Sequence, residues 1–265
     1  MISLKKEFDK NETYFEYTSI DNRIPTIFIH GVGLDNTMWY PQKKKLSSNS
    51  IIFYDILNHG KSKKKIKELN FSMFNNQLKN LMNHLKIDRV NLVGFSIGAL
   101  IAQHFVSSNY QNVNKLVLIG SVFKRSKEQI SIVNNRFKEA TDGPSITINS
   151  IKRWFTDFYL RKNPEVYNFF YLLLERKKNK EFLPAYKLFV ESDQYKLDFS
   201  KFTMPTLIMT GENEVGSTVK MNKNLRKEIK KSILYIIKDA KHGATIEKAE
   251  DVNHQLKDFL FNKNN

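Results

Sequence analysis

Six short apolar segments, each followed by a turn or loop, most constrain how this chain can fold. Each has four to six residues rich in Ile, Val, Leu and Phe, with neither face polar. A strand with one wet face would alternate apolar and polar residues, so these segments fit strands buried on both faces of a parallel sheet. They occupy residues 24–29, 51–56, 90–93, 115–119, 206–209 and 232–237.

Helical stretches separate most of these segments. The candidates are residues 74–85, 97–107 and 220–230. Strands that alternate with helices predict an α/β fold with a mostly parallel, doubly wound sheet. Residues 8–20 are a candidate for an antiparallel hairpin at the sheet edge.

One long stretch breaks this alternation. Residues 124–201 contain helical patterns and no strand-like segment. We therefore expect an α/β core made of residues 1–123 and 202–265, with a helical cap inserted at 124–201. The cap is dense in aromatic side chains, part of which must form its own apolar core. These are Trp154, Phe155, Phe158, Tyr159, Tyr167, Phe169, Phe170 and Tyr171.

Composition excludes several classes of function. The chain has no cysteine, so disulfides, thiolate catalysis and a cysteine-based metal site are impossible. The formal net charge of +16 would suit a nucleic acid or an anionic membrane surface. The basic residues, however, are scattered or lie in short clusters between apolar segments, so we expect a basic surface and no nucleic-acid partner.

The apolar runs are also too short for a membrane span. None approaches the roughly 18–20 residues that a spanning helix needs. The charged first ten residues lack the apolar stretch of a signal peptide. We expect no membrane insertion and a cytoplasmic location. Oligomeric state cannot be inferred from the sequence.

The strongest motif is a serine at a predicted strand-to-helix junction. The segment Gly-Phe-Ser-Ile-Gly at 94–98 follows strand 90–93 and opens helix 97–107. On such a turn the serine hydroxyl projects above the sheet, and glycines let neighbouring backbone approach closely. The free N–H groups at the helix N-terminus favour developing negative charge. The motif also occurs by chance as an ordinary turn, but its placement makes Ser96 the candidate nucleophile.

His242 is the candidate base for Ser96. The base must titrate near neutrality, as histidine does. His242 follows the last apolar segment, and the active site of an open α/β sheet forms at the carboxyl ends of its strands. The other five histidines fall in helical stretches, in a turn or in a glycine-rich loop.

These segments resemble the α/β-hydrolase superfamily, and more narrowly its 3-oxoadipate enol-lactonase-like branch. The resemblance covers nearly the whole chain. Its carriers are HGVGLD at 30–35, MW at 38–39, YD at 54–55, HGKS at 59–62, GFSIG at 94–98, RWF at 153–155, PTL at 205–207, GENEVGS at 211–217 and KH at 241–242.

The resemblance implies an α/β-hydrolase fold and a cofactor-independent serine hydrolase. Its expected substrate is a small carboxylic ester or lactone, cleaved through an acyl-enzyme. C–C bond hydrolysis or perhydrolysis on the same triad remains open. So does a ligand-binding protein of this fold with little turnover.

The acid of the triad has two candidates, Glu212 and Glu214, which both follow the segment at 206–209. The order serine, acid, histidine is the one that the fold implies, and position favours Glu214. The family usually has aspartate there, so the side chain is one methylene longer. Asn58 also stands where the family usually has glycine, and asparagine tolerates the left-handed conformation better than most residues.

The resemblance implies further contacts with the substrate. The backbone N–H groups of Val32 and Ile97 would form the oxyanion hole. Trp154 would offer an apolar surface from the cap. Arg153 is a candidate partner for a substrate carboxylate, although a surface arginine on a basic protein is the commoner case.

Overall fold

The sheet positions every candidate site residue. The computed structural model describes residues 4–18, 23–62, 65–142, 147–175 and 180–262. Within these residues it has eight strands: β1 (Lys5–Phe8), β2 (Tyr14–Tyr17), β3 (Thr26–Ile29), β4 (Ile51–Tyr54), β5 (Val90–Phe95), β6 (Val113–Ile119), β7 (Thr206–Gly211) and β8 (Ser232–Ile237).

These strands form one sheet in the order β1-β2-β4-β3-β5-β6-β7-β8. The pairs β1–β2 and β2–β4 are antiparallel, and the other five pairs are parallel. The predicted mostly parallel, doubly wound α/β sheet is therefore confirmed. The antiparallel hairpin predicted at 8–20 is formed by β1 and β2, but it begins earlier than predicted, because β1 starts at Lys5 and only Phe8 of this strand falls in the predicted range. Residues 19 and 20 lie outside the described part of the chain.

Helices connect the strands. In the described residues they are α1 (Tyr40–Leu46), α2 (Phe71–His84), α3 (Ile97–Asn109), α4 (Lys127–Asp142), α5 (Thr147–Trp154), α6 (Asp157–Lys162), α7 (Pro164–Glu175), α8 (Leu183–Val190), α9 (Val219–Glu228), α10 (Ala244–Glu247) and α11 (Ala249–Phe261). Helix α2 begins three residues before the predicted 74. The reason is that Asn70 caps it, its side chain accepting a hydrogen bond from the Met73 N–H at 3.0 Å.

The central strands are buried on both faces, as their composition predicts. Every residue of β3, β4, β5 and β7 is buried. Strand β8 differs, because it lies at the end of the sheet and pairs with β7 alone. Its Ile233 is 55% exposed. The apolar segment therefore predicted the strand correctly, but it did not predict that one face of this strand is partly exposed.

Helices α4–α8 lie between β6 and β7 in the chain. Cap residues Ile151, Phe155 and Phe170 belong to the same buried apolar cluster as Phe28 and Val93 of the sheet. Helices α4 and α8 add a smaller cluster of their own. The division of the chain into a core and a cap at residues 124 and 201 remains our prediction.

No helix among the described residues is both long and apolar enough to cross a membrane.

Candidate active site

Ser96 occupies a strained position between β5 and α3. Its φ and ψ are 56° and −119°, a region that residues with a Cβ rarely adopt. The turn is held by backbone hydrogen bonds, from the Ser96 N–H to the Ile119 carbonyl at 2.9 Å and from the Ala99 N–H to the Ser96 carbonyl at 2.9 Å. These hydrogen bonds thus hold the serine in its strained backbone conformation.

Glycines make the close approach at this turn possible. A Cβ on Gly94 would overlap the carbonyl oxygen of Gly98, and a Cβ on Gly98 would overlap the carbonyl oxygen of Ile29. Both contacts are with backbone, which cannot move aside. The G-x-S-x-G pattern is therefore a packing requirement at this site as well as a sequence motif.

Two backbone N–H groups near Ser96 have no hydrogen-bond acceptor in the described part of the chain. Those of Val32 and Ile97 donate no hydrogen bond to any residue that the structure describes. Ile97 is fully buried, and an unpaired N–H group in such a place is rare. These two groups are thus available to an oxygen atom bound next to Ser96.

Two buried histidines hold the glycine-rich loop after β3. The Gly33 N–H donates to Nε2 of His59 at 3.0 Å, and His59 Nδ1 lies 2.8 Å from the Leu57 carbonyl oxygen. His30 Nε2 accepts from the Ile56 N–H at 3.1 Å. Because each Nε2 accepts a backbone N–H, both rings carry their proton on Nδ1. These contacts fix the segment that contains Val32.

His242 contacts Glu214. Its Nδ1 lies 2.5 Å from Oε2 of Glu214, and the side chains are 16% and 3% exposed, respectively. The His242 ring also packs against Phe95, with 4.8 Å between ring centroids. Nδ1 is thus occupied by the carboxylate, which leaves Nε2 as the ring nitrogen free for proton transfer.

The Glu214 carboxylate is stabilised as an anion. Burial raises the pKa of this carboxyl. The opposite effect is larger: the charge of His242, the hydrogen bond with its ring and the N–H groups of Gly216 and Ser217 lower the pKa to about 2. Oε1 accepts from Gly216 at 2.5 Å and from Ser217 at 3.3 Å. A carboxylate held in this way orients the imidazole and stabilises it when protonated.

Glu212 lies elsewhere. It is exposed, and its Oε2 accepts a hydrogen bond from the Asp239 N–H at 3.2 Å. Of the two carboxylates left open by the sequence, the structure brings only Glu214 to the His242 ring.

Most of the candidate residues, although not Ile97, line one cavity of about 160 Å³. Ser96, His242, Glu214 and Val32 line it, and so do both predicted cap residues, Arg153 and Trp154. Within the described residues Ser96 and His242 are not hydrogen-bonded to each other. The hydrogen-bond distance between two catalytic residues is often longer in the free enzyme than in the Michaelis complex.

Most of the predicted aromatic cluster lies away from this cavity. Of its eight members only Trp154 is a lining residue, while Phe155 and Phe170 are buried in the apolar cluster and Phe158 is exposed. The other aromatic side chains that line it are Phe95, Phe182, Tyr186 and Phe189.

Sequence reasoning also missed Arg136, which lines the cavity from α4. It stands among many other basic residues, and no local pattern distinguishes it.

The sequence over residues 25–249 matches the family described as having the alpha/beta hydrolase fold. The chain belongs to this α/β-hydrolase family. Membership supports a hydrolase activity on a small-molecule substrate, and confirms the fold expected from the sequence.

Several known enzymes are similar to this chain over most of its length. It is 26% identical to the (E)-2-((N-methylformamido)methylene)succinate hydrolase of Acinetobacter baylyi, over 98% of both chains. It is 21% identical to 3-oxoadipate enol-lactonase 2 of the same organism, over 89% of this chain and 88% of that one. In structure it is similar to the enol-lactonase from Burkholderia xenovorans, with a TM-score of 0.84, 21% identity and coverage of 97% and 100%. The predicted kinship with enol-lactonase-like hydrolases is thus confirmed.

Proposed function

We propose that this α/β-hydrolase cleaves a carboxylic ester or lactone on a triad of Ser96, His242 and Glu214. The observation that carries the proposal is the contact between His242 and Glu214 in the cavity that Ser96 also lines. The carboxylate takes Nδ1, so Nε2 is left to remove the proton of the serine hydroxyl.

The reaction has two halves. Ser96 Oγ attacks the carbonyl carbon while His242 accepts its proton, and the N–H groups of Val32 and Ile97 stabilise the resulting oxyanion. Collapse of this intermediate breaks the C–O bond, and His242 gives the proton to the departing alcohol. Water then attacks the acyl-enzyme, His242 takes a proton from it, and that proton returns to Ser96 Oγ as the acid leaves.

The relatives suggest the substrate class. One is a hydrolase of a substituted succinate and the other an enol-lactonase that acts on a 3-oxoadipate derivative. Both names describe carboxylate-bearing molecules. We propose that Trp154 supplies an apolar wall for such a substrate and that Arg153 binds its carboxylate.

Active-site labelling tests the proposal directly. A fluorophosphonate should modify Ser96, located by peptide mass spectrometry, and 4-nitrophenyl acetate should give a burst of nitrophenolate from the acyl-enzyme. Ser96→Ala should abolish both. Ser108→Ala, which changes an exposed serine on the same helix α3, should leave both intact.

Two alternatives give different results in these assays. A ligand-binding protein of this fold should show neither a burst nor labelling. A C–C bond hydrolase should hydrolyse a vinylogous 1,5-diketone faster than any ester or lactone in a panel of chain lengths.

A further inference from the structure

Two arginines from different cap helices line the candidate active-site cavity. Arg136 projects from α4 and Arg153 from α5, and both side chains are half-buried. Both line the cavity of Ser96 and also a second cavity of about 400 Å³. Ser150 and Tyr186 are likewise shared by the two cavities, so these four residues form their junction.

Neither guanidinium has an ion pair or hydrogen bond with another residue that the structure describes. This distinguishes them from Arg125, which also lies near the start of the cap. Arg125 binds Asp193 at 2.6 Å and donates to carbonyl oxygens of α8. In the described part of the chain, Arg125 is therefore held by an ion pair and hydrogen bonds, whereas the two arginines at the junction are not.

The local charges leave a positive site. Burial lowers the pKa of Arg153 and the charge of Arg136 lowers it further, whereas Tyr186, Glu214 and Glu139 act in the opposite direction. Glu214 is bound to His242, and Glu139 is exposed on α4, where it lines the second cavity together with both arginines. Among the described residues neither carboxylate forms an ion pair with the two guanidinium groups, so a bound anion would offset the positive charge of both.

We propose that Arg136 acts with Arg153 to bind a carboxylate at the end of the substrate remote from the bond that is cleaved. Guanidinium groups match carboxylates with paired N–H donors, and two of them select for an anion far more strongly than one. The inference rests on the proposed hydrolase function for its kinetics. Arg136 is thereby a specificity-determining residue that the family motifs did not indicate.

The first experiment uses two esters of similar length. We compare mono-4-nitrophenyl glutarate, which bears a carboxylate, with neutral 4-nitrophenyl pentanoate in the wild type and in Arg136→Ala. Charge-assisted hydrogen bonds predict that kcat/KM for the glutarate ester falls about tenfold to a hundredfold, while the pentanoate ester changes little. Arg161→Ala, which removes an exposed positive charge from α6, is the matched control and should alter neither ester.

The second experiment does not need catalysis. Ser96→Ala protein is titrated with glutarate or with its diamide, and the shift in Tm is recorded. Glutarate should stabilise this variant, the diamide should not, and adding Arg136→Ala should abolish the shift. Equal kinetic losses for both esters, or a glutarate shift that survives Arg136→Ala, would overturn the subsite. A glutarate shift that depends on Arg136 without any ester hydrolysis would refute the proposed function and keep the subsite.

Discussion

The backbone N–H of Gly33 donates to Nε2 of His59 at 3.0 Å, across 26 residues of sequence. His59 is buried, and its other ring nitrogen contacts the Leu57 carbonyl. The loop that contains the Val32 N–H is thus held in place by a buried side chain that does not itself line the cavity.

His59→Phe should therefore weaken catalysis without a change in substrate contacts. The variant keeps a planar aromatic ring, although a larger one, and the Gly33 N–H and the Leu57 carbonyl lose their partner. We expect a loss of about 1–3 kcal/mol in the free energy of unfolding. We also expect a fall in kcat of about tenfold to a hundredfold, with KM little changed, because the Val32 N–H, the proposed oxyanion donor, is no longer held in place.

Denaturant unfolding and steady-state kinetics check this prediction. His59→Gln, whose side-chain oxygen can accept the same hydrogen bond, should recover part of kcat. His254→Gln changes an exposed histidine on α11 and serves as the control. A destabilised His59→Phe with wild-type kcat would show that the loop is positioned by other contacts.

The strained backbone of Ser96 predicts a difference between two inactive variants. Ser96→Ala and Ser96→Gly both lack the nucleophile, and each should reduce kcat by about 10³-fold or more. Only glycine adopts the observed φ and ψ without strain. Relief of strain should make Ser96→Gly about 1 kcal/mol more stable than Ser96→Ala, even after the extra chain entropy of glycine. Equal stability in urea would mean that the turn stores no strain at this residue.

Glu214→Gln should reduce activity far more than Glu212→Gln. The amide cannot balance the charge of protonated His242, so we expect kcat to fall about a hundredfold or more. Glu212 is exposed and accepts a hydrogen bond from the Asp239 backbone N–H, so its variant should stay within about twofold of the wild type. If the order of the two effects is reversed, the proposed triad contains the wrong carboxylate.

Glu214 also predicts how stability depends on pH. Its pKa in the folded protein is about 2, below its ordinary value of 4.5. The folded state therefore holds the ionised form more strongly than the unfolded state does. This contribution is complete above about pH 4.5 and is lost as the pH falls toward 2. The difference in unfolding free energy between the wild type and Glu214→Gln should shrink across that window, and a difference independent of pH would contradict the assignment.

The strands and the serine turn could be predicted because their signals are local. Each buried strand is a short apolar segment followed by residues typical of turns. The turn at 94–98 needs glycine on both sides of the serine, because a Cβ at either position would overlap backbone atoms. The start of α2 was misplaced only because the cap at Asn70 lies outside the apolar pattern.

The pocket could not be predicted in the same way. Its walls depend on how α4 and α8 pack against one another, which is a relation between distant segments. Arg136 has the same local appearance as the exposed basic residues around it, and a dense aromatic stretch does not reveal which rings face inward. Trp154 lines the cavity, whereas the neighbouring Phe155 fills the apolar cluster.

The loop of His242 is anchored to the cap. The Gly243 N–H donates to the Trp154 carbonyl at 2.7 Å, and a Cβ on Gly243 would overlap the Phe155 ring. A mutation that shifts α5 to admit a new substrate should therefore also move His242, the proposed base. Changes of substrate range should therefore be tolerated better in α4 and α8, whose residues Arg136 and Tyr186 line the cavity from helices other than the one that anchors this loop.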